Sequence, residues 1–322
     1  MPTAAILGTN GYAGQETLDR LLAHPELEVV ALGSDSLAGA AAAALDVRLN
    51  GSLPPFVTNE EALGAGADVV FWCLGHGQAA ALVPPPDAVV VDLSGAHRLH
   101  DTALYKTWYG FEHPGALDDW DYALPELFPP RGRLIANPGC YATAALLALA
   151  PLAGAIDPGT VVVDAKSGVS GAGREPKPSS HAGVVLDNVS PYRVGTHQHA
   201  PEIAQALGFP VTFVPHLLPV RRGLLSTCYV DGDGLRKLLE DAYQGSPVVR
   251  VLPEGETADL SRVQGTDAAE IAVFQDRSTG RTIVVCTLDN LGKGAAGQAV
   301  QNANLALGLP ETAGLRLAGV LV

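Results

Sequence analysis

Three glycines spaced three residues apart constrain the fold of this chain more than any other feature. Gly8, Gly11 and Gly14 lie in the segment GTNGYAG, directly after the apolar run 3–7 and before a helical pattern over residues 15–23. Between a strand and a helix, glycine lets the backbone turn tightly and lets a pyrophosphate approach the amide groups, while the helix N-terminus adds a partial positive charge. The segment therefore predicts a strand–turn–helix unit that binds a dinucleotide.

The chain that follows the second apolar run, residues 28–32, bears on which dinucleotide is bound. It reads Gly33-Ser34-Asp35-Ser36. An acidic residue at this point accepts hydrogen bonds from the ribose of NAD, whereas serine hydroxyls suit the 2′-phosphate of NADP. Because both kinds of residue are present, this segment leaves the choice between NAD and NADP open. The residues expected to contact the cofactor are Gly8, Thr9, Asn10, Gly11, Tyr12, Ala13, Gly14, Ser34 and Ser36.

Apolar runs elsewhere in the chain predict the fold class. Residues 68–74 and 88–93 are apolar almost throughout, which is typical of strands buried on both faces of a parallel sheet. An α/β fold with a Rossmann-type doubly wound sheet follows for the first part of the chain. Later strand-like runs, separated by longer loops, predict an α+β domain with a mostly antiparallel sheet: 161–164, 211–214, 225–230, 270–274 and 282–288.

The predicted domain organisation has two parts, as expected for 322 residues. Residues 1–140 form a dinucleotide-binding domain that the C-terminal helix, residues 297–322, completes. Residues 141–296 form a second domain of the α+β type.

Charge and hydropathy exclude several function classes. The net charge of −14 disfavours nucleic-acid binding, which needs a basic face. No apolar run is long enough to span a bilayer, and the first residues lack the basic segment of a signal peptide, so we expect no membrane association and a cytoplasmic location. The four cysteines are too widely spaced to indicate a zinc site or a disulfide framework.

Cys140 is the candidate nucleophile among the four cysteines. Cys73, Cys228 and Cys286 lie within strand-like runs and are interpreted as small core residues. Cys140 instead follows Asn137-Pro138-Gly139 and opens a helix rich in alanine and leucine. The exposed amides at a helix N-terminus stabilise a thiolate and lower the pKa of the thiol. The context alone leaves a packing role equally open.

Two histidines are candidate partners for that thiol. His197 and His199 lie two residues apart in the segment HQHAPE, and in extended chain both side chains would point to one face. A third ligand at a recognisable spacing is missing, so we expect no metal. General acid–base catalysis beside a thiol is the favoured interpretation, with the two histidines unranked.

A resemblance to a known family emerges when the motifs are taken together in chain order. The chain resembles the N-acetyl-gamma-glutamyl-phosphate reductases of arginine biosynthesis, in a wider group with aspartate-semialdehyde dehydrogenase. The segments that carry the likeness, beyond GTNGYAG, NPGCY and HQHAPEI, are Asp92–Ser94, Tyr109-Gly110, Leu124–Leu127, Ser167–Arg174, Pro215–Pro219, Arg222-Gly223 and Asp289–Gly294.

The resemblance implies a reaction and a set of site residues. NADPH would reduce an acyl phosphate, a small molecule, to an aldehyde through a thioester on Cys140, with His197 or His199 moving protons. Asn290 would lie near the nicotinamide. Residues 141–296 would be the catalytic and dimerisation domain, and a homo-oligomer, a dimer or a tetramer, would form. The residues expected to bind substrate are Ser167, Ser170, Arg174, Glu202, Arg222 and Lys293.

The chain also departs from the family pattern. Gln198 stands where the family usually has arginine, and Ala96 and His97 stand where it usually has aspartate and phenylalanine. Three alternatives stay open: a paralogous reductase of lysine biosynthesis that acts on an aminoadipyl phosphate attached to an acidic carrier protein, aspartate-semialdehyde dehydrogenase, and a non-catalytic dinucleotide sensor. The negative charge disfavours the first, and a sensor needs neither Cys140 nor the histidines.

Overall fold

A seven-stranded parallel sheet organises the first part of the chain. The computed structural model describes residues 1–49, 51, 53–115, 117–176 and 178–319. The chain divides into two compact units, of which the first comprises Met1–Pro138 and Ala295–Leu315, and the second Gly139–Gly294 with the residues from Arg316 onward.

The strands and α-helices of the first unit alternate as far as residue 108, except that the third strand directly follows the second. They are β1 (Thr3–Leu7), α1 (Tyr12–Leu22), β2 (Glu28–Gly33), β3 (Phe56–Val57), α2 (Asn59–Leu63), β4 (Val69–Trp72), α3 (His76–Ala80), β5 (Val89–Asp92), α4 (Leu104–Trp108), β6 (Asp121–Tyr122) and β7 (Leu134–Ala136).

The first sheet has the order β3-β2-β1-β4-β5-β7-β6, and every neighbouring pair is parallel. Successive residues of its central strands enter two different core clusters. Leu7 and Trp72 belong to one cluster, whereas Ile6 and Phe71 belong to the other. A sheet that buries both faces explains why these strands are apolar at every position, and it confirms the predicted doubly wound fold.

The second unit is built around a second seven-stranded sheet. Its elements are α5 (Cys140–Leu149), β8 (Val162–Gly168), α6 (Ala182–Val185), β9 (Ser190–Pro191), α7 (His199–Leu207), β10 (Thr212–Leu218), β11 (Leu224–Val230), α8 (Leu235–Ala242), β12 (Val249–Val251), α9 (Leu260–Val263), β13 (Ala269–Gln275) and β14 (Thr282–Leu288).

The order of the second sheet is β12-β13-β14-β11-β8-β10-β9. Strands β8 and β10 pair in parallel, as do β12 and β13, while the remaining neighbours are antiparallel. Residues along β8 and β11 alternate between buried and half-buried positions, as expected for a sheet with one packed face. The predicted mostly antiparallel sheet is thus confirmed.

The C-terminal helix is shorter than predicted. Helix α10 (Gly297–Ala306) belongs to the first unit, but it ends well before residue 322. Gly308 adopts a left-handed conformation with φ +68, and Pro310 follows; both terminate helices. The residues from Arg316 onward belong to the second unit, and the predicted helical residues 320–322 lie outside the described ones. No described helix is long and apolar enough to cross a membrane.

Candidate active site

Cys140 is the first residue of helix α5. Gly139 caps the helix in an extended conformation, with φ −72 and ψ 150, and the Thr143 amide donates to the Gly139 carbonyl at 2.8 Å. The amides of the first turn therefore have no carbonyl to bind within the helix. Residues 141–149 are all buried, whereas the thiol residue itself is half-buried. The fold thus holds Cys140 rigidly at the positive end of a helix.

A buried carboxylate holds the cap of this helix. The Gly139 amide donates a 2.7 Å hydrogen bond to the Glu202 Oε1 atom, and Glu202 has no exposed surface. Helix α7 carries His199 and Glu202 three residues apart, which places them on one face. The His199 Nε2 atom lies 4.0 Å from Glu202 Oε2. Glu202, predicted to bind substrate, therefore links the cysteine helix to a candidate acid–base histidine.

The two histidines have different surroundings. The backbone amide of His199 donates to His197 Nδ1 at 3.1 Å, so the proton of a neutral His197 resides on Nε2. The two rings meet edge to face, with centroids 4.7 Å apart. Burial, followed by the charge of Arg193, lowers the pKa of His197 to about 3. His197 is accordingly a neutral hydrogen-bond donor near pH 7.

Two tyrosines complete the wall around these rings. Tyr192 donates to the Tyr141 hydroxyl at 3.1 Å, and Tyr141 donates to the His216 carbonyl at 3.1 Å. The Tyr141 ring packs edge-on against both histidine rings. Burial chiefly raises the pKa of Tyr192 to about 12, and the negative charge of a Cys140 thiolate contributes to the rise. The thiol, both phenols and the histidines therefore form one cluster.

Gly294 allows the glycine-rich turn Asp289–Gly294 to approach Cys140. A Cβ at Gly294 would lie 2.8 Å from the Cβ of Cys140 and 3.1 Å from the Asp289 carbonyl oxygen. Real Cβ atoms do not approach other atoms as closely as 2.8 Å. Only glycine therefore fits at this position without a shift of its neighbours.

Three of the predicted site residues form a second polar cluster. The Asn290 side-chain amide donates to Ser170 Oγ at 3.0 Å, and its oxygen accepts from the Gly223 amide at 2.8 Å. Ser167 is also buried, and its hydroxyl lies 3.0 Å from where a Cβ of Gly171 would stand. Asn290, predicted to contact the cofactor, thus lies beside the predicted substrate ligands Ser167 and Ser170.

The predicted cationic ligands are not equivalent. Arg222 Nε donates to Asp289 Oδ2 at 2.5 Å, and Asp289 is fully buried, so the charge of Arg222 is compensated. Lys293 is fully buried in the π-helical turn Gly292–Ala296. Arg174 is exposed, on the chain that follows the turn Val169–Ala172.

The predicted dinucleotide turn is so crowded at two of its positions that only glycine fits there. Gly8 adopts φ +71, and a Cβ there would lie 2.4 Å from the Cys73 carbonyl oxygen. A Cβ on Gly14 would lie 2.4 Å from the Gly8 carbonyl oxygen. Gly11 caps helix α1 in an extended conformation, and Tyr12 and Ala13 begin the helix. The turn therefore exposes backbone amides at a helix N-terminus, where a pyrophosphate binds favourably.

Side chains that directly follow β2 contribute to a polar cluster beside this turn. The Asn10 amide donates to Ser36 Oγ at 3.0 Å, and the Ser34 and Ser36 hydroxyls are 3.4 Å apart. Thr9 is buried and bonds the Ile6 carbonyl. The Asp35 carboxylate accepts from the backbone and side-chain nitrogens of Asn59, each at 2.9 Å. The Asp35 carboxylate is thus already bound to Asn59, the first residue of helix α2.

The other cysteines agree only in part with the sequence interpretation. Cys228 and Cys286 are buried in β11 and β14, and burial raises the pKa of Cys228 to about 12. Cys73 is not within a strand, because β4 ends at Trp72, and it is half-buried. Cys140 is therefore not the only cysteine outside a strand. None of the described residues forms a group of three His, Cys, Asp or Glu side chains able to hold a metal ion.

Four residues of this site were given no individual role from the sequence: Tyr141, Tyr192, Arg193 and Gly294. Tyr141 follows the candidate nucleophile directly, and Gly294 lies in the glycine-rich turn, so both carried a local signal. Tyr192 and Arg193 lie in a loop near the histidines. No periodic pattern in the sequence predicts where such a loop lies.

Comparison with known proteins defines the class of this molecule. Residues 3–133 match a family model described as the semialdehyde dehydrogenase NAD binding domain, and residues 140–290 match the semialdehyde dehydrogenase dimerisation domain. Among solved structures, aspartate semialdehyde dehydrogenase II from Vibrio cholerae, complexed with ASA, has a TM-score of 0.74 at 20% identity and covers 95% of this chain and 98% of its own. The NADP complex of the Candida albicans enzyme has a TM-score of 0.64 at 16% identity, over 95% and 99% of the two chains. The fold is that of the semialdehyde dehydrogenases.

Relatives at higher identity narrow the class to one family. A protein of Salinispora tropica named N-acetyl-gamma-glutamyl-phosphate reductase is 46% identical over 98% of both chains. Proteins of the same name from Acidothermus cellulolyticus and Rhodospirillum rubrum are 44% and 42% identical, over 98% and 97% of this chain and 98% and 96% of their own. The chain belongs to the N-acetyl-gamma-glutamyl-phosphate reductase family, which confirms the resemblance found in the sequence.

Proposed function

We propose that this protein reduces N-acetyl-gamma-glutamyl phosphate to N-acetylglutamate semialdehyde and phosphate in arginine biosynthesis, through a thioester on Cys140. The observation that carries the proposal is the position of the Cys140 thiol, at a helix N-terminus whose cap is held by Glu202, within a cluster that contains His197 and His199. A thiolate is the nucleophilic form of cysteine, and the positive end of a helix favours it.

The chemistry divides into two stages at the sulfur atom. The Cys140 thiolate attacks the acyl carbon, the carbon–oxygen bond to phosphate breaks, and phosphate leaves with the electron pair. The hydride that reduces the resulting thioester is supplied by NADPH when it is bound. The thiohemiacetal then loses the proton of its hydroxyl group and collapses, which releases the aldehyde and restores the thiolate.

We assign the two histidines different roles in these stages. His199 moves the protons, because its Nε2 atom lies 4.0 Å from the buried Glu202 carboxylate, which stabilises the imidazolium form. His197 stays neutral, with its pKa lowered to about 3 by burial and by Arg193, and it donates through Nε2. The histidines that the sequence left unranked thus become a proton carrier and a fixed donor.

The polar side chains of the second cluster are proposed to receive the phosphate. Ser167 and Ser170 lie at the turn Val169–Ala172, where Asn290 orients the Ser170 hydroxyl. Arg174 is the exposed cation of this segment, and Lys293 adds a buried charge. Arg222 acts mainly by binding Asp289, because its Nε atom already donates a hydrogen bond to that carboxylate.

The residues of the first unit fit NADP as the cofactor. The crowded glycines at positions 8 and 14 keep the turn tight, and the turn leads into the N-terminus of helix α1, where a pyrophosphate binds favourably. The hydroxyls of Ser34 and Ser36, together with Asn10, form a cluster of donors suited to a 2′-phosphate. The acidic side chain that would favour NAD, Asp35, is held instead by Asn59.

We also propose that the protein works as a cytoplasmic homo-oligomer, a dimer or a tetramer. The match of residues 140–290 to a dimerisation domain supports the assembly. Its substrate is a small molecule, and the net charge of −14 supports the expectation that no nucleic acid is bound.

The reverse reaction tests this function. The purified protein is mixed with N-acetylglutamate semialdehyde, phosphate and either NADP or NAD, and the reduced nicotinamide is followed by its absorbance. We expect phosphate-dependent turnover with NADP, and much slower turnover with aspartate semialdehyde or with NAD. Equal or faster turnover of aspartate semialdehyde would contradict the substrate assignment, and tight NADP binding without turnover of either aldehyde would indicate a sensor.

A further inference from the structure

Buried amide side chains surround Asn137, the residue that follows strand β7 and precedes Cys140 by three positions. Asn137 is 1% exposed, and Gln298 and Asn302 of helix α10 have no exposed surface. The side-chain nitrogens of Gln298 and Asn302 donate to Asn137 Oδ1 at 3.3 and 3.1 Å. Because Gln298 and Asn302 are four positions apart, they lie on the same face of the helix. One face of α10 is thus directed at Asn137.

The remaining hydrogen-bonding groups of Asn137 are engaged as well. Its backbone amide donates to the Asp92 carbonyl at 2.9 Å, and its own carbonyl accepts from Arg98 Nε at 2.8 Å. Its side-chain nitrogen donates to the Ala295 carbonyl at 3.3 Å. Ala295 directly follows Gly294, the glycine that fits against the candidate nucleophile. Asn137 therefore ties together two segments of the chain that both lead to that cysteine.

Stability alone does not explain this amide network. The Asn302 Oδ1 atom is buried and has no hydrogen-bond partner among the described residues. A buried polar atom that lacks a partner lowers the stability of the folded chain, and it calls for a reason of another kind. The orientation that the amides at positions 298 and 302 give to Asn137 supplies such a reason.

We propose that Gln298 and Asn302 are positioning residues for the nucleophile. Through Asn137 they fix the turn of residues 137–139, which leads directly into Cys140. This inference rests on the proposed function, in which the thiolate attacks the acyl carbon. The attack requires the sulfur atom to lie within about 3–3.5 Å of that carbon and in line with it, and small displacements lower the rate steeply. Side chains that touch no substrate can therefore influence the rate by holding this turn.

Helix α10 also offers a matched control. The Asn304 side chain is just as buried as those of Gln298 and Asn302, but its partners lie elsewhere. Its nitrogen donates to the carbonyls of Glu311 and Ala313 at 3.1 and 2.9 Å, and its oxygen is 2.9 Å from the Nε2 atom of His24. Loss of the Asn304 amide should therefore affect the stability of the helix without affecting the turn before the nucleophile.

Kinetics of the reverse reaction test the inference first. Gln298→Met and Asn302→Leu keep side chains of similar size but remove the amides. Each should lower kcat by about tenfold and leave the KM values for the aldehyde and NADP within about twofold. Asn304→Leu should lower the melting temperature comparably and leave kcat within about twofold. The double variant Asn137→Leu/Gln298→Met should be no slower than Asn137→Leu, because Gln298 acts through Asn137.

The reactivity of the thiol gives a second test that needs no substrate. Gln298→Met and Asn302→Leu should slow the alkylation of Cys140 by iodoacetamide at pH 7 by about threefold, because less thiolate forms when the sulfur is displaced from its place at the helix N-terminus. Mass spectrometry identifies the alkylated peptide. Burial raises the pKa of both Cys73 and Cys228 to about 12, which keeps these thiols slow to react.

The outcomes separate this inference from the function on which it rests. Unchanged kcat or an unchanged alkylation rate in both Gln298→Met and Asn302→Leu would overturn it. Equal losses in Asn304→Leu would also overturn it, and so would a kcat of the double variant far below that of Asn137→Leu. If the wild-type protein turns over no acetylated aldehyde, the proposed function fails, and the alkylation rates still decide whether the network positions Cys140.

Discussion

Two helices of this molecule begin in nearly the same way but are suited to different chemistry. Helix α1 is capped by Gly11, with φ −74 and ψ 165, and helix α5 by Gly139, with φ −72 and ψ 150. In each, the cap carbonyl accepts the first helical hydrogen bond, from Gln15 at 2.9 Å and from Thr143 at 2.8 Å. Both helices therefore begin with amides that have no carbonyl partner within the helix itself, and both carry a partial positive charge at this end.

The difference lies in the groups that surround each terminus. Around α1, three glycines keep the turn tight, and hydroxyls at positions 34 and 36 lie at its edge, which suits an external phosphate. At α5, the helix carries its own anion, the Cys140 thiolate, and the buried Glu202 carboxylate occupies the amide of the cap. A helix N-terminus thus suits an external ligand in the first unit and a nucleophilic side chain in the second.

Matched glycine substitutions should break the two termini separately. Gly14→Ala forces a Cβ to within 2.4 Å of the Gly8 carbonyl oxygen, so we expect NADP to bind about 100-fold more weakly or worse. Gly294→Ala presses on Cys140 at 2.8 Å and should lower kcat/KM by about 100-fold or more, with NADP affinity nearly unchanged. Fluorescence titration of NADPH and steady-state kinetics measure the two effects.

The controls for this pair are glycines with free space around them. Gly77→Ala in the first unit and Gly154→Ala in the second place a Cβ where no atom lies within 4 Å, so both variants should behave like the wild type. If Gly14→Ala and Gly294→Ala lose the same property to the same extent, the separation of roles between the two helices is wrong.

Charge at the cap of α5 should matter as well as shape. Glu202→Gln keeps an acceptor for the Gly139 amide but removes the negative charge beside His199, so we expect kcat/KM to fall by about 10- to 100-fold. Glu270→Gln, a buried carboxylate that binds Arg262 instead, is the matched control. A kcat/KM equal to that of the wild type would leave Glu202 with a purely structural role.

Those parts of the fold that are encoded locally could be predicted from the sequence. The glycine turn, the apolar strands β1, β4 and β5 and the start of α5 each depend on neighbouring residues, and they occur where the patterns indicate. Short strands such as β3, β6 and β9 have two residues each, too few for a period to be visible. The local patterns therefore predicted the two sheets but not their edge strands.

The pairings within the sites could not be predicted in this way. Glu202 meets Gly139 across 63 positions, Arg222 meets Asp289 across 67, and Asn59 meets Asp35 across 24. Only the tertiary fold brings such partners together, so a buried carboxylate or arginine in a motif is easily interpreted as a substrate ligand. The ranking of His197 and His199 likewise depended on which ring nitrogen accepts a hydrogen bond.

Acid should destabilise the second unit through His197. The pKa of His197 is about 3 in the folded chain, against an ordinary value of 6.5, so the unfolded chain binds more protons between these values. Stability therefore falls as the pH drops below about 6.5, by about 2 kcal/mol at pH 5. Denaturant unfolding at pH 7 and pH 5 measures this loss.

Replacement of the imidazole isolates its share of that loss. His197→Asn should reduce the difference in unfolding free energy between pH 7 and pH 5 by about 2 kcal/mol, because the variant has no group to protonate. His100→Asn, at an exposed position, should leave the difference unchanged. An unaltered pH dependence in His197→Asn would show that the imidazole is not held neutral by burial.

The covalent role of Cys140 is the central claim, and it can be tested directly by mass spectrometry. The protein is mixed with N-acetyl-gamma-glutamyl phosphate in the absence of NADPH, quenched in acid and digested. We predict one N-acetylglutamyl group per chain, located on the peptide that contains Cys140, with one equivalent of phosphate released in a burst. Cys140→Ser should show neither burst nor turnover while binding NADPH with unchanged affinity. An adduct on another residue, or substantial turnover by Cys140→Ser, would contradict the account.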